Sequence, residues 1–585
     1  MPCKYWRTFD NKGKEGWKMI IAFMGNNGTG KTTIAKEIEK RLRAIGIEAR
    51  YKKEFDHFLL KYAHKIYSPY KAKNYNPFSG TIHDAEKTIQ IDMNMTKEER
   101  KENERSNEMV FKLWSSLRPK VWPILVWIDC LLEWIFYKTT VKNKVILLDR
   151  YAYDHFVSWE RHGWSNRLLR FLYLHFPKPD LAFVLDASSS TCLDRLHLRP
   201  EEKSPLEEKK EEKLRSLEHQ RNRYLKLVDT LDLRLVNTER QSLDESLNVV
   251  FSDLRKYYFE KDKITDEDKV LTLISYPHFN PDIVEDLGFN FEWKSLDWDY
   301  IMDLAVKNNV ESLLCDNLMV YYKNELPEDV IEKLERIRDI CRNKQEKMSE
   351  ALKLVHSAFE EKSIEYVIMK SLPPFEFTPV DADMLVKGKD FKEASKILKE
   401  MGVTTDLVDL YYTDPESEVL TKPSWNGRTI EEGPILRRRR KRRVKLGDNE
   451  VEVFVPSPED EIVILSAHSL FQHQYTTLGE LFYIMELIRN NNIDFRYIDS
   501  QTKGWNESFK FLLSTLVQRY FLFYNEFCVV NGIKCVNTNL KPVRIHPLRY
   551  GNSVRDLIDN VLIRIRYRRK RGLPYNSNWT LREFK

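Results

Sequence analysis

The chain has 585 residues, more than one hydrophobic core usually organises, so at least two domains are expected. Its 95 basic residues nearly balance its 89 acidic residues, and the formal net charge of +6 excludes a strongly polyanionic or polycationic protein. The seven scattered cysteines show no paired metal spacing, which argues against a disulfide framework or a zinc site and favours a reducing compartment.

The first predicted element is a phosphate-binding loop between a strand and a helix. The apolar run Met19–Met24 predicts a buried strand, and the apolar residues that follow repeat with the period of a helix that Gly46 ends, at Ile34, Ile38, Leu42 and Ile45. The loop between them comprises nine residues, Gly25, Asn26, Asn27, Gly28, Thr29, Gly30, Lys31, Thr32 and Thr33. We expect its backbone N–H groups and Lys31 to bind the phosphates of ATP and the Thr32 hydroxyl to bind Mg²⁺. The alternative is a glycine-rich turn without a ligand.

One apolar segment reaches the lower length limit of a membrane-spanning helix. Residues 121–137 read VWPILVWIDCLLEWIFY, with Asp129 and Glu133 in the middle, where each carboxylate is costly in hydrocarbon. We therefore interpret the segment as a buried helix against the N-terminal sheet and expect no membrane partner. The first 16 residues form an extension without an apolar stretch, so we expect no secretory signal and a cytoplasmic protein.

Residues 17–262 alternate strand and helix patterns, which predicts an α/β fold with a parallel sheet. Residues 145–148 and 181–185 are apolar strands that end in Asp149 and Asp186. Because ligands gather at the carboxyl ends of such strands, Asp149 is a candidate for the metal shell and Arg150 for an anion clamp. Charged residues 71–107 and 199–213 are interpreted as a surface insertion and a mobile flap.

Arg195 and Arg199 lie four residues apart at the approach to that flap. Arginines on a closing flap can neutralise a transferring phosphoryl group. The alternative interpretations are a solvated helix face for this pair and a strand-end salt bridge for Asp149 and Arg150.

These features resemble the thymidylate kinase family of P-loop kinases. The motifs that carry the resemblance are GNNGTGKTT, VILLDRY, FVLDAS and DRLHLR. The resemblance implies an ATP-dependent phosphotransferase with Mg²⁺ and a nucleotide acceptor. Its catalytic residues would be Lys31, Asp149, Arg150, Arg195 and Arg199, with Thr32 and Asp149 at the metal. A non-nucleotide small-molecule acceptor stays open, because the family's Arg-Glu-Pro segment reads RYKKEF from Arg50 here.

The second half begins with helical patterns that open at Leu296 and continue through residues 328–343 and 346–361. A strand at residues 365–369 follows, and then Asp381 and Asp383 stand two residues apart on a further predicted strand. Alternate strand residues share a face, so these two carboxylates can share a divalent metal ion. Such a pair is what two-metal nucleotidyl transfer requires.

This half resembles an uncharacterised nucleotidyltransferase family of the polymerase-β-like superfold. The motifs are DWDYIMDLAVKNNV, IEYVIMKSLP, VDADMLV and AHSLFQH, and Lys370-Ser371 stands where the superfold shows Gly-Ser. The resemblance implies an α+β nucleotidyltransferase-like domain over residues 263–585, with helical N-terminal and basic C-terminal parts. It also implies a third carboxylate on a neighbouring strand, for which Glu452 is the candidate.

Two basic runs, residues 437–443 and 564–571, complete the sequence. They can follow a nucleic-acid backbone, form a solvated basic face, or, for the first run, form a hairpin whose arginines contact substrate. We conclude that the chain is a kinase-like domain fused to a nucleotidyltransferase-like domain. The alternative from another class is a nucleotide-gated nucleic-acid-binding or regulatory protein with an inert C-terminal domain.

Overall fold

A computed structural model of the chain describes residues 18–53, 121–141, 144–161, 163, 166–197, 207–261, 264–404, 407–412, 419–420, 430–473, 476–503 and 505–527. The chain divides into two compact units. The first comprises residues up to Arg43 together with Ile47–Phe251, and the second comprises Ala44–Gly46 and the residues from Ser252 onward. The division therefore falls inside the helix Leu243–Lys261, earlier than the boundary placed after residue 262 from the sequence.

The first unit contains a five-stranded sheet in which every neighbouring pair of strands is parallel. Its strands in chain order are β1 Met19–Met24, β2 Ala49–Lys52, β3 Val145–Leu148, β4 Leu181–Asp186 and β5 Arg234–Asn237. Their order across the sheet is β2-β3-β1-β4-β5. The predicted α/β fold class is confirmed, and the centrally placed β1 is buried along its whole length.

Helices flank this sheet. They are α1 Lys31–Ala44, α2 at residues 121–140, α3 Ala152–Arg161, α4 Arg167–Leu174, α5 Ser189–His197, α6 Glu207–Leu231 and α7 Leu243–Lys261. Part of the predicted flap is helical, because residues 207–213 are the first turns of α6. The rest of the flap, with Arg199, lies outside the described residues, as does the insertion at 71–107.

Helix α2 packs one side into the core, as expected of the apolar segment. Val126, Cys130 and Tyr137 join the core cluster around β1 and β3, and Asp129 and Glu133 are buried. Its other side leaves several apolar side chains partly exposed, among them Leu132 at 41%. None of the helices within the described ranges is long and apolar enough to cross a membrane.

The second unit is mainly helical. Its helices are α8 Asp266–Ile274, α9 Asp282–Glu285, α10 Trp298–Lys307, α11 Glu311–Tyr321, α12 Glu328–Glu361, α13 Phe391–Glu400, α14 Glu432–Arg437, α15 Pro458–Ala467, α16 Leu478–Asn490, α17 Phe495–Gln501 and α18 Asn506–Tyr524. The two helices expected at 328–343 and 346–361 are one helix, α12. No glycine or proline interrupts it, and buried Cys341, Gln345 and Met348 continue its inward face through the expected break.

The strands of the second unit form small sheets. They are β6 Tyr366–Met369, β7 Ala382–Val386, β8 Val408–Tyr412, β9 Val419–Leu420, β10 Ile430–Glu431, β11 Arg440–Leu446 and β12 Asn449–Val455. Strand β7 lies between β6 and β8, antiparallel to the first and parallel to the second. Strands β11 and β12 form the hairpin considered for the first basic run. The sheet of β6, β7 and β8 and the hairpin of β11 and β12 both pack against the second half of α12.

Candidate functional site

The backbone of the phosphate-binding loop has the shape that its glycines predict. Gly25 and Gly28 have φ angles of +130° and +92°, which side chains rarely allow. A Cβ atom on Gly25 would lie 2.3 Å from the carbonyl oxygen of Leu185, and one on Gly28 would lie 2.5 Å from that of Cys192. The strand end of β4 and the helix α5 therefore fix the loop through backbone contacts that only glycine permits.

Lys31 begins α1 and bends back over the loop. Its Nζ donates hydrogen bonds to the carbonyl oxygens of Gly25 and Asn26, both at 2.7 Å. Burial lowers the pKa of Lys31, and the nearby carboxylates of Asp154 and Asp149 oppose that effect. The amine is thus buried at the helix N-terminus, where the helix dipole also favours an anion.

Asp149 stands at the end of β3 and receives two hydroxyl groups. Thr32 Oγ1 donates to Asp149 Oδ2, and the Tyr51 hydroxyl donates to the same oxygen at 2.9 Å. Burial, followed by the Asp149 charge, raises the pKa of Tyr51 to about 12, so the phenol stays a hydrogen-bond donor at neutral pH. Hydroxyl and carboxylate oxygens are the ligands that Mg²⁺ prefers, so Thr32 and Asp149 fit the predicted metal.

The two arginines of the described site both contact the loop. Arg150 Nη2 donates to Asn27 Oδ1 at 3.3 Å. Arg195 donates to Gly28 O at 3.4 Å and to Thr238 O at 2.8 Å. The Arg195 side chain, which belongs to α5, is therefore held by the loop and by the residue after β5 and does not lie on a solvated helix face. Arg199 lies outside the described residues.

The remaining loop residues hold the loop in place or face solvent. Asn26 Nδ2 donates to Leu217 O at 2.8 Å and Thr29 Oγ1 donates to Asn26 O at 2.9 Å, whereas Thr33 is exposed. Asp186, the other strand-end acid, forms a two-point pair with Arg221 of α6 at 2.7 and 2.8 Å. Its carboxylate is thus engaged in holding α6 to the sheet.

Asp154 and Tyr51 were missed in the sequence. Asp154 is buried behind the loop, where it accepts from the Tyr151 N–H at 2.8 Å and from the Tyr224 hydroxyl at 2.7 Å. Burial raises the pKa of Asp154, and Lys31 is the first of the groups that lower it. The signal for Tyr51 was its position on β2, the strand beside β3, at the same carboxyl edge as Asp149.

A second group of charged residues lies in the other unit, around β7. Asp383 is only 1% exposed, and Lys370 Nζ lies 2.6 Å from its Oδ2. The backbone N–H of Asp383 donates to Ser371 Oγ at 3.1 Å. Asp381 lies one residue before β7 and is half-buried, so the two aspartates differ in burial.

The neighbouring strand β8 supplies a carboxylate that the sequence did not single out. Asp409 lies opposite Asp383 in the parallel register, and the Tyr411 hydroxyl donates to Asp409. Burial and then the Asp409 hydrogen bond raise the pKa of Tyr411. Glu452, the candidate third carboxylate, lies instead on β12 of another sheet, where it pairs with Lys441 at 2.8 Å.

The donor set around Asp383 does not fit a divalent metal ion as it stands. Within the described parts of the chain, no group of three or more His, Cys, Asp and Glu side chains could hold one. A lysine ammonium already pairs with the Asp383 carboxylate. The metal ion at Asp381 and Asp383 stays a prediction.

Several cations of the first basic run meet carboxylates of the same unit. Arg438 pairs with Glu459 at 2.6 Å and Arg440 with Glu461 at 3.2 Å. Arg442 also pairs with Glu461 and donates to Leu372 O at 2.8 Å, which anchors the segment after β6. The hairpin thus holds α15 and the Lys370 turn, while nucleic-acid binding stays a prediction and residues 564–571 lie outside the described ranges.

Comparisons with known proteins place these two regions separately. Residues 294–522 match the family described as an uncharacterised nucleotidyltransferase, which confirms the resemblance of the second half. Two solved structures of deoxyadenosine kinase from M. mycoides, one with bound dATP and one with bound dCTP, are each 17% identical to this chain. They cover 40% of this chain and 99% and 98% of their own, with TM-scores of 0.23 and 0.22. A search of curated proteins found no match.

At those TM-scores the likeness to deoxyadenosine kinase carries no argument. The fold of the first unit rests on its own sheet order and loop.

Proposed function

We propose that the first unit is an ATP-dependent phosphotransferase. The observation that carries the proposal is the position of Lys31, whose amine is bent over the glycine loop while Thr32 beside it contacts Asp149. Loop N–H groups, the N-terminus of α1 and a lysine together form an anion site for the phosphates of a nucleoside triphosphate.

Each side chain has a distinct task in this proposal. Lys31 exchanges its two carbonyl acceptors for phosphate oxygens when ATP binds, and its charge then stabilises the transferring group. Thr32 and Asp149 would hold Mg²⁺, which supplies charge neutralisation at the phosphates when bound. Arg195 keeps Gly28 in position through its bond to the loop carbonyl.

The acceptor is proposed to approach the side of Asp149 where Arg150 lies. Arg150 donates a hydrogen bond at 3.3 Å to Asn27, and a guanidinium can bind phosphate oxygens through two donors. That geometry supports an acceptor with its own phosphate, such as a nucleoside monophosphate. A small-molecule acceptor without a nucleobase is the alternative, and the acceptor panel below separates the two.

The second unit is proposed to transfer or bind nucleotides. The name of the family that residues 294–522 match supports this proposal. Its charged residues Asp381, Asp383 and Asp409 are the candidates for that site. Because Lys370 pairs with Asp383, the donor set does not fit a metal ion as it stands.

The test is release of ADP from ATP by the purified full chain, against a panel of nucleosides, nucleoside monophosphates and small phosphorylated compounds, with and without RNA. We expect Lys31→Ala to lower acceptor-dependent ADP release by about 10²-fold or more, because it removes preorganised charge at the transferring group. Lys40→Ala is the matched control, since this lysine lies exposed on the same helix and pairs with Glu37. Undiminished turnover in Lys31→Ala would refute the proposal, and ATP binding without any acceptor dependence would favour a nucleotide-gated regulatory protein.

A further inference from the structure

The Lys370-Ser371 turn delivers a fixed positive charge to the buried carboxylate of β7. Lys370 has a φ angle of +47°, a left-handed conformation that favours glycine and disfavours residues with a side chain. A lysine in this conformation is strained relative to glycine, and such strain is typical of residues whose side chain has a task.

The turn is anchored directly after the lysine, at Ser371 and Leu372. Ser371 Oγ accepts from the Asp383 N–H at 3.1 Å. Leu372 O accepts from Arg442 and from the Tyr483 hydroxyl, each at 2.8 Å. These bonds hold the backbone so that the lysine side chain, 16% exposed, reaches the Asp383 carboxylate, 2% exposed, at 2.6 Å.

The positive charge next to Asp383 comes from the protein itself. The Lys370 ammonium compensates the Asp383 carboxylate, whereas the Tyr411 hydroxyl donates to Asp409 on the neighbouring strand. A divalent ion at Asp383 would have to displace the ammonium, and two cations cannot occupy the same side of one carboxylate without strong repulsion.

We propose that the Lys370 ammonium is the resident cation of this carboxylate cluster, so that the second unit takes up no divalent metal ion at Asp383 as long as Lys370 is present. This inference does not rest on the phosphotransferase proposal, which concerns the other unit. It assigns Lys370 as the residue that decides whether Asp381, Asp383 and Asp409 bind a metal ion.

The experiment measures Mn²⁺ binding to the full chain without nucleotide. The readout is the electron paramagnetic resonance signal of the unbound Mn²⁺. Five proteins are compared: the parent, Asp383→Asn, Lys370→Met, Lys370→Gly, and Lys370→Met combined with Asp383→Asn. We expect equal Mn²⁺ binding by the parent and Asp383→Asn. We expect one additional Mn²⁺ per chain in each single Lys370 variant, lost again in the double variant.

Lys370→Gly guards against a folding failure, because glycine prefers the φ angle of this position, and thermal unfolding verifies each variant. Lys396→Met is the matched control, since this exposed lysine pairs with Glu400 of the same helix and its removal should add no Mn²⁺ site. A saturable Mn²⁺ site in the parent that Asp383→Asn abolishes would overturn the proposal. Folded Lys370→Gly that binds no more Mn²⁺ than the parent would overturn it as well.

Discussion

The phosphate-binding loop and the β7 carboxylate cluster each place a lysine near an aspartate, but the two lysines have different partners. Lys31 donates to two backbone carbonyl oxygens at 2.7 Å, whereas Lys370 lies 2.6 Å from a carboxylate oxygen of Asp383. Carbonyl acceptors carry no net charge, so an incoming phosphate can replace them with a stronger partner. A carboxylate partner already cancels the charge of the lysine.

The two regions therefore depend on different physical interactions. The loop depends on backbone shape, since its glycines meet carbonyl oxygens of Leu185 and Cys192 that leave no room for a side chain. The cluster depends on matched charges, since buried ionised groups are tolerated only with partners. Changes of shape should therefore damage the first region most, and changes of charge the second.

The largest effect is expected from Gly25→Ala in the loop. The new Cβ atom would lie 2.3 Å from Leu185 O at a φ angle of +130°, so the loop must move and its N–H groups lose their common direction. We expect ATP binding, measured by isothermal titration calorimetry, to fall below detection. Gly30→Ala is the matched control, because its φ angle of +90° adds strain of about 1–3 kcal/mol but its Cβ atom meets no other atom within 4 Å.

If Gly25→Ala and Gly30→Ala weakened ATP binding equally, close packing of the loop backbone would not be what distinguishes this region. The difference between the phosphate-binding loop and the β7 cluster would then depend on the charge of Lys31 alone.

The shape-dependent region was largely predictable from the sequence. Strand β1, the loop and helix α1 are predictable because glycine spacing and apolar periodicity are local properties of the chain. The bounds of β1 agree, and α1 ends at Ala44, just before the predicted Ile45. The α/β class follows from alternating patterns in the same way. In the second unit, the continuous helix α12 is not predictable from its two separate helical patterns, because its continuity depends on burial against its neighbours.

The charge-dependent region was not predictable in the same way. The sequence singled out Asp381 and Asp383 but could not show that Lys370 meets Asp383, or that Asp409 on β8 lies opposite it. Those contacts arise from strand pairing between residues distant in the chain. The same reason explains why Glu452 was chosen as third carboxylate, although it lies on another sheet.

A second prediction concerns the buried charges that hold the Lys370 turn. Glu461 is fully buried, where it pairs with Arg442 and accepts from the Tyr483 hydroxyl at 2.7 Å. Glu461→Gln keeps the shape but leaves the Arg442 charge without its carboxylate, so we expect a loss of about 3–5 kcal/mol in the stability of the second unit. Differential scanning calorimetry of the full chain measures it.

Glu452→Gln is the control for that measurement. The Glu452 carboxylate pairs with Lys441 on the exposed face of the β11–β12 hairpin, which also carries Arg442. We expect no measurable change in its melting temperature. Equal losses in the two variants would show that buried charge pairing does not distinguish the β7 region.

The smallest effect is expected from the pH dependence of Glu480, which caps α16 through Thr477. Burial raises the pKa of Glu480 to about 7, against an attraction to Lys370 that lowers it. An unfolded glutamate ionises near pH 4.3, so between about pH 4 and 7 the unfolded chain has lost a proton that the folded chain keeps. Stability therefore falls as pH rises through this window, by about 3–4 kcal/mol, and the penalty is constant above it.

Glu480→Gln tests this because glutamine can also complete the capping box but does not ionise. The measured quantity is the melting temperature of the variant minus that of the parent. We expect this difference to be larger at pH 8 than at pH 5 for Glu480→Gln and constant for the exposed Glu507→Gln. Adding Lys370→Met removes the attraction that lowers the pKa of Glu480, so the parent's loss of stability should then extend to higher pH. A difference between Glu480→Gln and the parent that does not change with pH would mean that Glu480 is ionised throughout this range, and that Lys370 compensates two carboxylates of this region instead of one.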